Sequence, residues 1–356
     1  MAKCTPNVIW RQVLITNFYL WKTRDSDSDG CLESWCKYDT GEDHAMRYYD
    51  APDSWSEETP PAHCKAVPMA SLDVMSFSYS ARETLSRISS IQGNENRKNK
   101  WKEKAASIQK TIKDYLWIES KDACFDRDKY HRTLNVLIHN NLRAMYWNSF
   151  TDSMAQRFVT KHLLNPDEFW TYMPLPSVAV NDPLFRNIKT NNWSGQCEAL
   201  TYQRAIRALE NYNFDFLIPK LGEKLFQAIG DSCIFVQQYD PFTGAPSLIS
   251  LDGLQDSYGP AMLSVMEYTS RMFGIHLEQN LVFWGTYGEY ESSYEQIWGN
   301  HSFKIINSKI NSHAYIDDKE VFQSGKNLKI ITDLEGNLLY IKKLAVNADV
   351  NNIKVY

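Results

Sequence analysis

The segment Thr40-Gly41-Glu42-Asp43-His44-Ala45-Met46-Arg47-Tyr48 sets two adjacent carboxylic acids shortly before an arginine. Residues of these types can transfer protons. A carboxyl group desolvated by a partly apolar loop, with a like charge beside it, keeps its proton near neutral pH and can donate it to a leaving oxygen. Gly41 permits a sharp bend, and Arg47 can hold an anionic or hydroxyl-rich neighbour. Asp43 is the preferred donor. Glu42 is its rival, although adjacent side chains usually point in different directions. The same residues also fit a plain helix-capping loop whose Asp43 and Arg47 form a structural ion pair.

The elements that must position this loop are mainly helical. Apolar residues three and four apart predict helices over 71–90, 100–117, 133–146, 200–212, 216–229 and 261–273. Pro6 and Asn7 open a further helix running through Trp21. Two long connections, 23–68 and 167–192, are rich in Pro, Asn, Asp and aromatics, as functional loops are. Past residue 280 the pattern turns to strands around 301–306, 314–316, 328–332 and 338–342, separated by Asp317-Asp318, Ser324-Gly325 and Glu335-Gly336-Asn337. The expected organisation is a catalytic helical domain over 1–280 and an antiparallel β module over 281–356.

Six segments in order carry a family resemblance, the first being the helix end Tyr19-Leu-Trp-Lys-Thr-Arg24, which resembles the one just before the acid loop. The acid loop resembles the Ser-Gly-x-Asp-x-Ser-x-Arg loop that bears the general acid in six-hairpin glycosidases, the group of trehalases, processing α-glucosidases and mannosylglycerate hydrolases. Val67-Pro-Met-Ala-Ser-Leu-Asp-Val-Met-Ser is similar to the segment opening the next helix, and Leu116-Trp117 with Cys124-Phe-Asp-Arg-Asp to the following turn. Leu175-Pro-Ser with Asn192-Trp193-Ser-Gly195 resembles the loop lining the sugar pocket, and Tyr239-Asp240-Pro241-Phe-Thr243-Gly244 the segment beside the catalytic base.

The resemblance implies an (α/α)6 toroid with a small C-terminal β module, and a chain lacking its N-terminal hairpins, because about eight helices are legible where the family has twelve. It further implies cleavage of terminal α-linked sugars with inversion, Asp43 acting as general acid. One position departs: Gln237 stands where the family has a glutamate base, and a carboxamide cannot take a proton from water. Glu198 is the substitute expected, with a favourable charge at a helix N-terminus as its alternative role. Trp35, Glu42, Arg47, Trp193, Gln196, Gln237 and Tyr239 are the expected sugar-binding residues. If the site has lost its base, the chain is a carbohydrate-binding or catalytically degenerate relative.

The resemblance implies an oligosaccharide or small glycoside as the partner. A net charge of −5 without a basic block argues against nucleic acid. No apolar run reaches a membrane span, and residues 1–25 lack a signal-peptide core, so a cytoplasmic location is expected unless sequence precedes this chain. The seven cysteines include no Cys-x-x-Cys pair and the eight histidines no His-x-x-x-His pair, so no zinc site is expected. Asp25, Asp27, Asp29 and Gly30 match the first half of a calcium loop, but Cys36 replaces its bidentate glutamate, and an acidic turn is the expected reading. No cofactor is expected, and the sequence leaves the sugar and the oligomeric state open.

Overall fold

The computed structural model of the chain describes residues 13, 14, 18, 20–191, 193–230, 233–247 and 257–356. Residues 13, 14, 18 and 20–23 of the expected first helix are helical, and the rest of that segment lies outside the described residues. Two compact units form, one of Met1–Glu198 with Gln238–Gln255, the other of Ala199–Gln237 with Asp256–Tyr356.

In the first unit the helices Leu72–Ile91 and Glu95–Thr111 pack as a hairpin. Asn94 caps the second of these by accepting from the Arg97 amide at 2.9 Å. Leu72, Met75, Leu85, Ile88, Ala105 and Ile108 are buried, whereas most of the lysines of the second helix face solvent. The helix expected over 133–146 begins only at Asn140. Ahead of it, Val136 and Ile138 are buried two residues apart, a strand-like period, and Ile138 forms a bridge with Val178. A helix at Asp152–Phe158, opened by Thr151, has too short an apolar repeat to stand out in sequence.

Short strand pairs stitch the long loops together. Glu33–Ser34 pairs with Met69–Ala70, Ala70 bridges to Arg127, Pro176 bridges to Cys197, and Cys197–Glu198 pairs with Gln238–Tyr239. These ties give the loop backbones the hydrogen bonds that buried segments require.

The second unit corrects the expected boundary after residue 280. That boundary falls between the paired strands Ile275–Glu278 and Leu281–Gly285, and the helices Ala199–Glu210, Ile218–Ile229 and Gly259–Phe273 belong to the same unit as the strands. Lys329 on strand Leu328–Asp333 donates to Glu210 at 2.6 Å and to Asp215 at 2.8 Å, tying sheet to helices. A five-stranded and a four-stranded antiparallel sheet share a core of Trp284, Phe303, Ile305, Phe322, Leu328 and Ile330.

Lys326 in this unit offers a pH test. Burial lowers its pKa to about 8, and its nearest polar partners, Asn307 and Ser312, are neutral. Between about pH 8 and its ordinary value of 10.5 the unfolded chain keeps a proton that the folded chain has lost, so stability rises with pH across that window. Lys326→Met should therefore raise stability at pH 7 and lose that rise relative to the wild type. Urea unfolding at neutral and alkaline pH measures the difference, and an unchanged wild-type-minus-variant gap would contradict it.

Candidate active site

The acid loop is built on buried charge. Arg47, with no exposed side-chain surface, donates to Asp126 at 2.6 Å and to Glu42 at 2.8 Å, and pairs closely with Asp73. Arg143 donates to Glu42 at 2.6 Å and to the Thr40 carbonyl at 3.0 Å, and His139 Nε2 lies 3.0 Å from the same Glu42 carboxylate. The charges converge from the acid loop and three other segments. Asp73 sits in the first turn of Leu72–Ile91, and Asp126 follows the strand Ala123–Cys124 and accepts the Leu72 amide at 2.8 Å. His139 and Arg143 share a face of the Asn140–Tyr146 helix start.

The cluster settles which acid of the loop is ionised for structural reasons. Burial alone would raise the Glu42 pKa, but Arg143, Arg47 and His139 overcome it and hold the group well below the usual carboxylate range. Asp126 goes the other way: burial raises it, with Asp73 adding to the rise and Arg47 opposing it. Glu42 is thus neither a proton donor at neutral pH nor open to a sugar. The structural ion pair foreseen for this loop exists, but its acid is Glu42. Asp43, one residue on, is half-buried and makes no hydrogen bond or ion pair among the described residues.

Several expected sugar ligands are instead walls of this scaffold. Trp35 is 2% exposed, donates its indole N–H to Glu33 at 2.6 Å, and carries Arg24 over its ring at 4.2 Å. Arg47 is consumed by its carboxylates, so holding a sugar is not open to it. Gln196 is fully buried, donating to Asn187 and accepting from Gln238, each at 2.6 Å. Tyr239, 1% exposed, lies in the strand pair with Cys197–Glu198. The reason common to all is burial, which leaves none of them an open face.

Trp193 joins the acid loop to Glu198. Its ring packs in one buried cluster with Ala45, Tyr48 and Val67 and meets the His139 ring at a centroid distance of 5.4 Å. Its φ of +61° is costly for a bulky residue, and its amide donates to Glu198 Oε1 at 2.9 Å. Gly195 is required two residues later, because an added Cβ would collide with the Arg186 carbonyl oxygen. Glu198 is 1% exposed, so its observed contact holds the Trp193 turn rather than facing solvent. Gln237 belongs to the second unit, is half-buried, and its carbonyl accepts the Ala199 amide at 3.0 Å.

The acidic turn also has structural work. Asp29 accepts the Cys31 amide at 2.7 Å, Asp27 that of Asp29 at 3.1 Å, and Asp25 that of Gly30 at 3.3 Å. His131 adjoins Asp27 and Asp29, making a three-residue group of metal-ligand types that the spacing alone did not foresee. The six described cysteines are free, and among the described residues no helix is long and apolar enough to cross a membrane.

The acid loop thus holds Glu42 in a buried ion cluster and leaves the neighbouring Asp43 outside it. The chain belongs to the family of the mannosylglycerate hydrolase MGH1-like glycoside hydrolase domain, whose model matches residues 9–259. A solved structure described as a sialidase is similar at a TM-score of 0.65 and 10% identity, over 90% of this chain and 30% of its own. A GH63 mannosylglycerate hydrolase from Thermus thermophilus in complex with glucose is similar at 0.57 and 14% identity, over 74% of this chain and 68% of its own. At such identities the likeness shows a shared fold. The chain spans less than a third of the length of the sialidase chain. No curated protein matches the sequence significantly.

Proposed function

We propose that this chain is a glycosidase acting on terminal α-linked sugars, with Asp43 as general acid in an (α/α)6 toroid. The observation that carries the reading is the contrast between neighbouring acids: Glu42 is locked in ion pairs and Asp43 is unpaired and half-exposed. Family membership supports the chemistry. The mechanism needs a proton donor and a water-activating carboxylate, and no cofactor. The proposed course is inversion, with Glu198 as the second carboxylate; it requires Glu198 to exchange its hold on Trp193 for a water.

That same hold favours a second reading, a sugar-binding relative without turnover. A base must reach the water it activates, and Glu198 is buried on a backbone amide while Gln237 cannot serve. The test is a panel of α-linked oligosaccharides and aryl α-glycosides, followed by proton NMR to catch the first anomer released. Hydrolysis with inverted product supports the glycosidase, and saturable binding without product supports the second reading. Gln237→Glu then separates a decayed enzyme from an active one. If the wild type is silent, the variant should gain hydrolysis; if the wild type turns over through Glu198, Glu198→Gln should abolish it and Gln237→Glu should not be needed.

A further inference from the structure

A cavity of about 470 Å3 in the second unit is lined, among the described residues, by Glu223, Phe226, Met272, Phe273, Tyr290 and Ser292. Its volume suits a small ligand. The rings form a corner. Phe273 meets Tyr290 edge to face, with centroids 5.3 Å apart and planes at 79°, and stands 6.4 Å from Phe226 at 33°. Tyr290 is 52% exposed and lies against Gly288, where a Cβ would come within 2.5 Å of the ring; the φ of +68° there also favours glycine. The Tyr287 hydroxyl donates to Oε1 of the exposed Glu223 at 2.9 Å and so orients its carboxylate. Ser292 Oγ accepts from Asn307 at 3.1 Å.

An aromatic corner with one oriented anion and few other polar groups recognises a cation that carries apolar surface. The negative faces of the rings attract positive charge, and the methyl groups of an alkylated ammonium fill the space without asking for hydrogen bonds. A pyranose fits less well: it presents hydroxyls around its whole edge, and the described lining offers only Glu223 and Ser292 to meet them. We propose that this cavity binds a small methylated ammonium compound, with Glu223 as counter-ion and Phe226, Phe273 and Tyr290 as its walls. The site is independent of the glycosidase reading.

The experiment titrates the whole chain with choline by calorimetry, beside the uncharged tert-butyl analogue of choline, which has the same shape. Choline should saturate a single site and bind roughly fivefold or more tightly than the analogue. Glu223→Gln and Tyr290→Ala should each weaken choline by about fivefold or more while keeping the wild-type melting temperature. Glu223→Gln preserves side-chain shape, so its result is not clouded by misfolding. Equal binding of choline and its analogue, no saturable binding of choline, or unchanged affinity in the well-folded Glu223→Gln variant would overturn the proposal.

Discussion

Arg47→Met should destabilise the first unit by about 3–5 kcal/mol, because it removes one partner from a buried ion cluster and leaves charge uncompensated. Arg47 meets Glu42, Asp73 and Asp126 with no side-chain exposure. Methionine retains the length but none of the charge, and Arg143 alone cannot neutralise three carboxylates. Thermal and urea unfolding measure the loss. Lys98→Ala, which removes an exposed pair with Glu95, should stay within about 0.5 kcal/mol. The cluster also predicts an acid-side signature. Glu42 has its folded pKa below the ordinary 4.5, so its contribution is present above that value and is lost as pH falls through the folded pKa. Arg47→Met should shrink this loss. A variant as stable as the wild type would mean the cluster does not hold the acid loop.

Much of this scaffold is legible in the sequence as pattern and little of it as contact. The helices at 72–91, 199–210, 218–229 and 259–273 follow from apolar spacing, because each buries one face against a neighbour. The segment 133–139 misleads because Leu134, Val136 and Ile138 satisfy a helical window and a strand period alike, and the bridges of Thr133 to Arg127 and Ile138 to Val178 decide between them. Strands at 275–278 and 281–285 follow the preceding helix directly after its C-cap Gly274, and their short apolar runs are hard to tell from its continuation.

The site is legible where sequence order matters and opaque where partners do. The Gly41-x-Asp43…Arg47 loop stands out, but Arg47 looks like a sugar ligand in sequence because its three carboxylate partners are 5, 26 and 79 residues away. Asp73 and Asp126 lie inside segments that carry the family resemblance, and His139 with Arg143 have only their shared helix face as a signal. Burial is what turns Trp35, Gln196 and Tyr239 from candidate ligands into walls, and burial is set by the folded loops rather than by any local spacing.

Asp43→Asn bears most directly on the proposed activity. Asparagine keeps the size and removes the proton to be donated, and Asp43 has no described partner whose loss would disturb the fold. General-acid catalysis is worth about 10² to 10⁴, so turnover should fall at least a hundredfold with the melting temperature unchanged. The loss should be smallest on aryl glycosides with good leaving groups, which need little protonation, and largest on oligosaccharides. A single measurement decides: the rate of sugar release from the α-linked panel by wild type and Asp43→Asn, side by side at neutral pH. The account predicts release by the wild type and at least about a hundredfold less by the variant; equal release from the two proteins would contradict it.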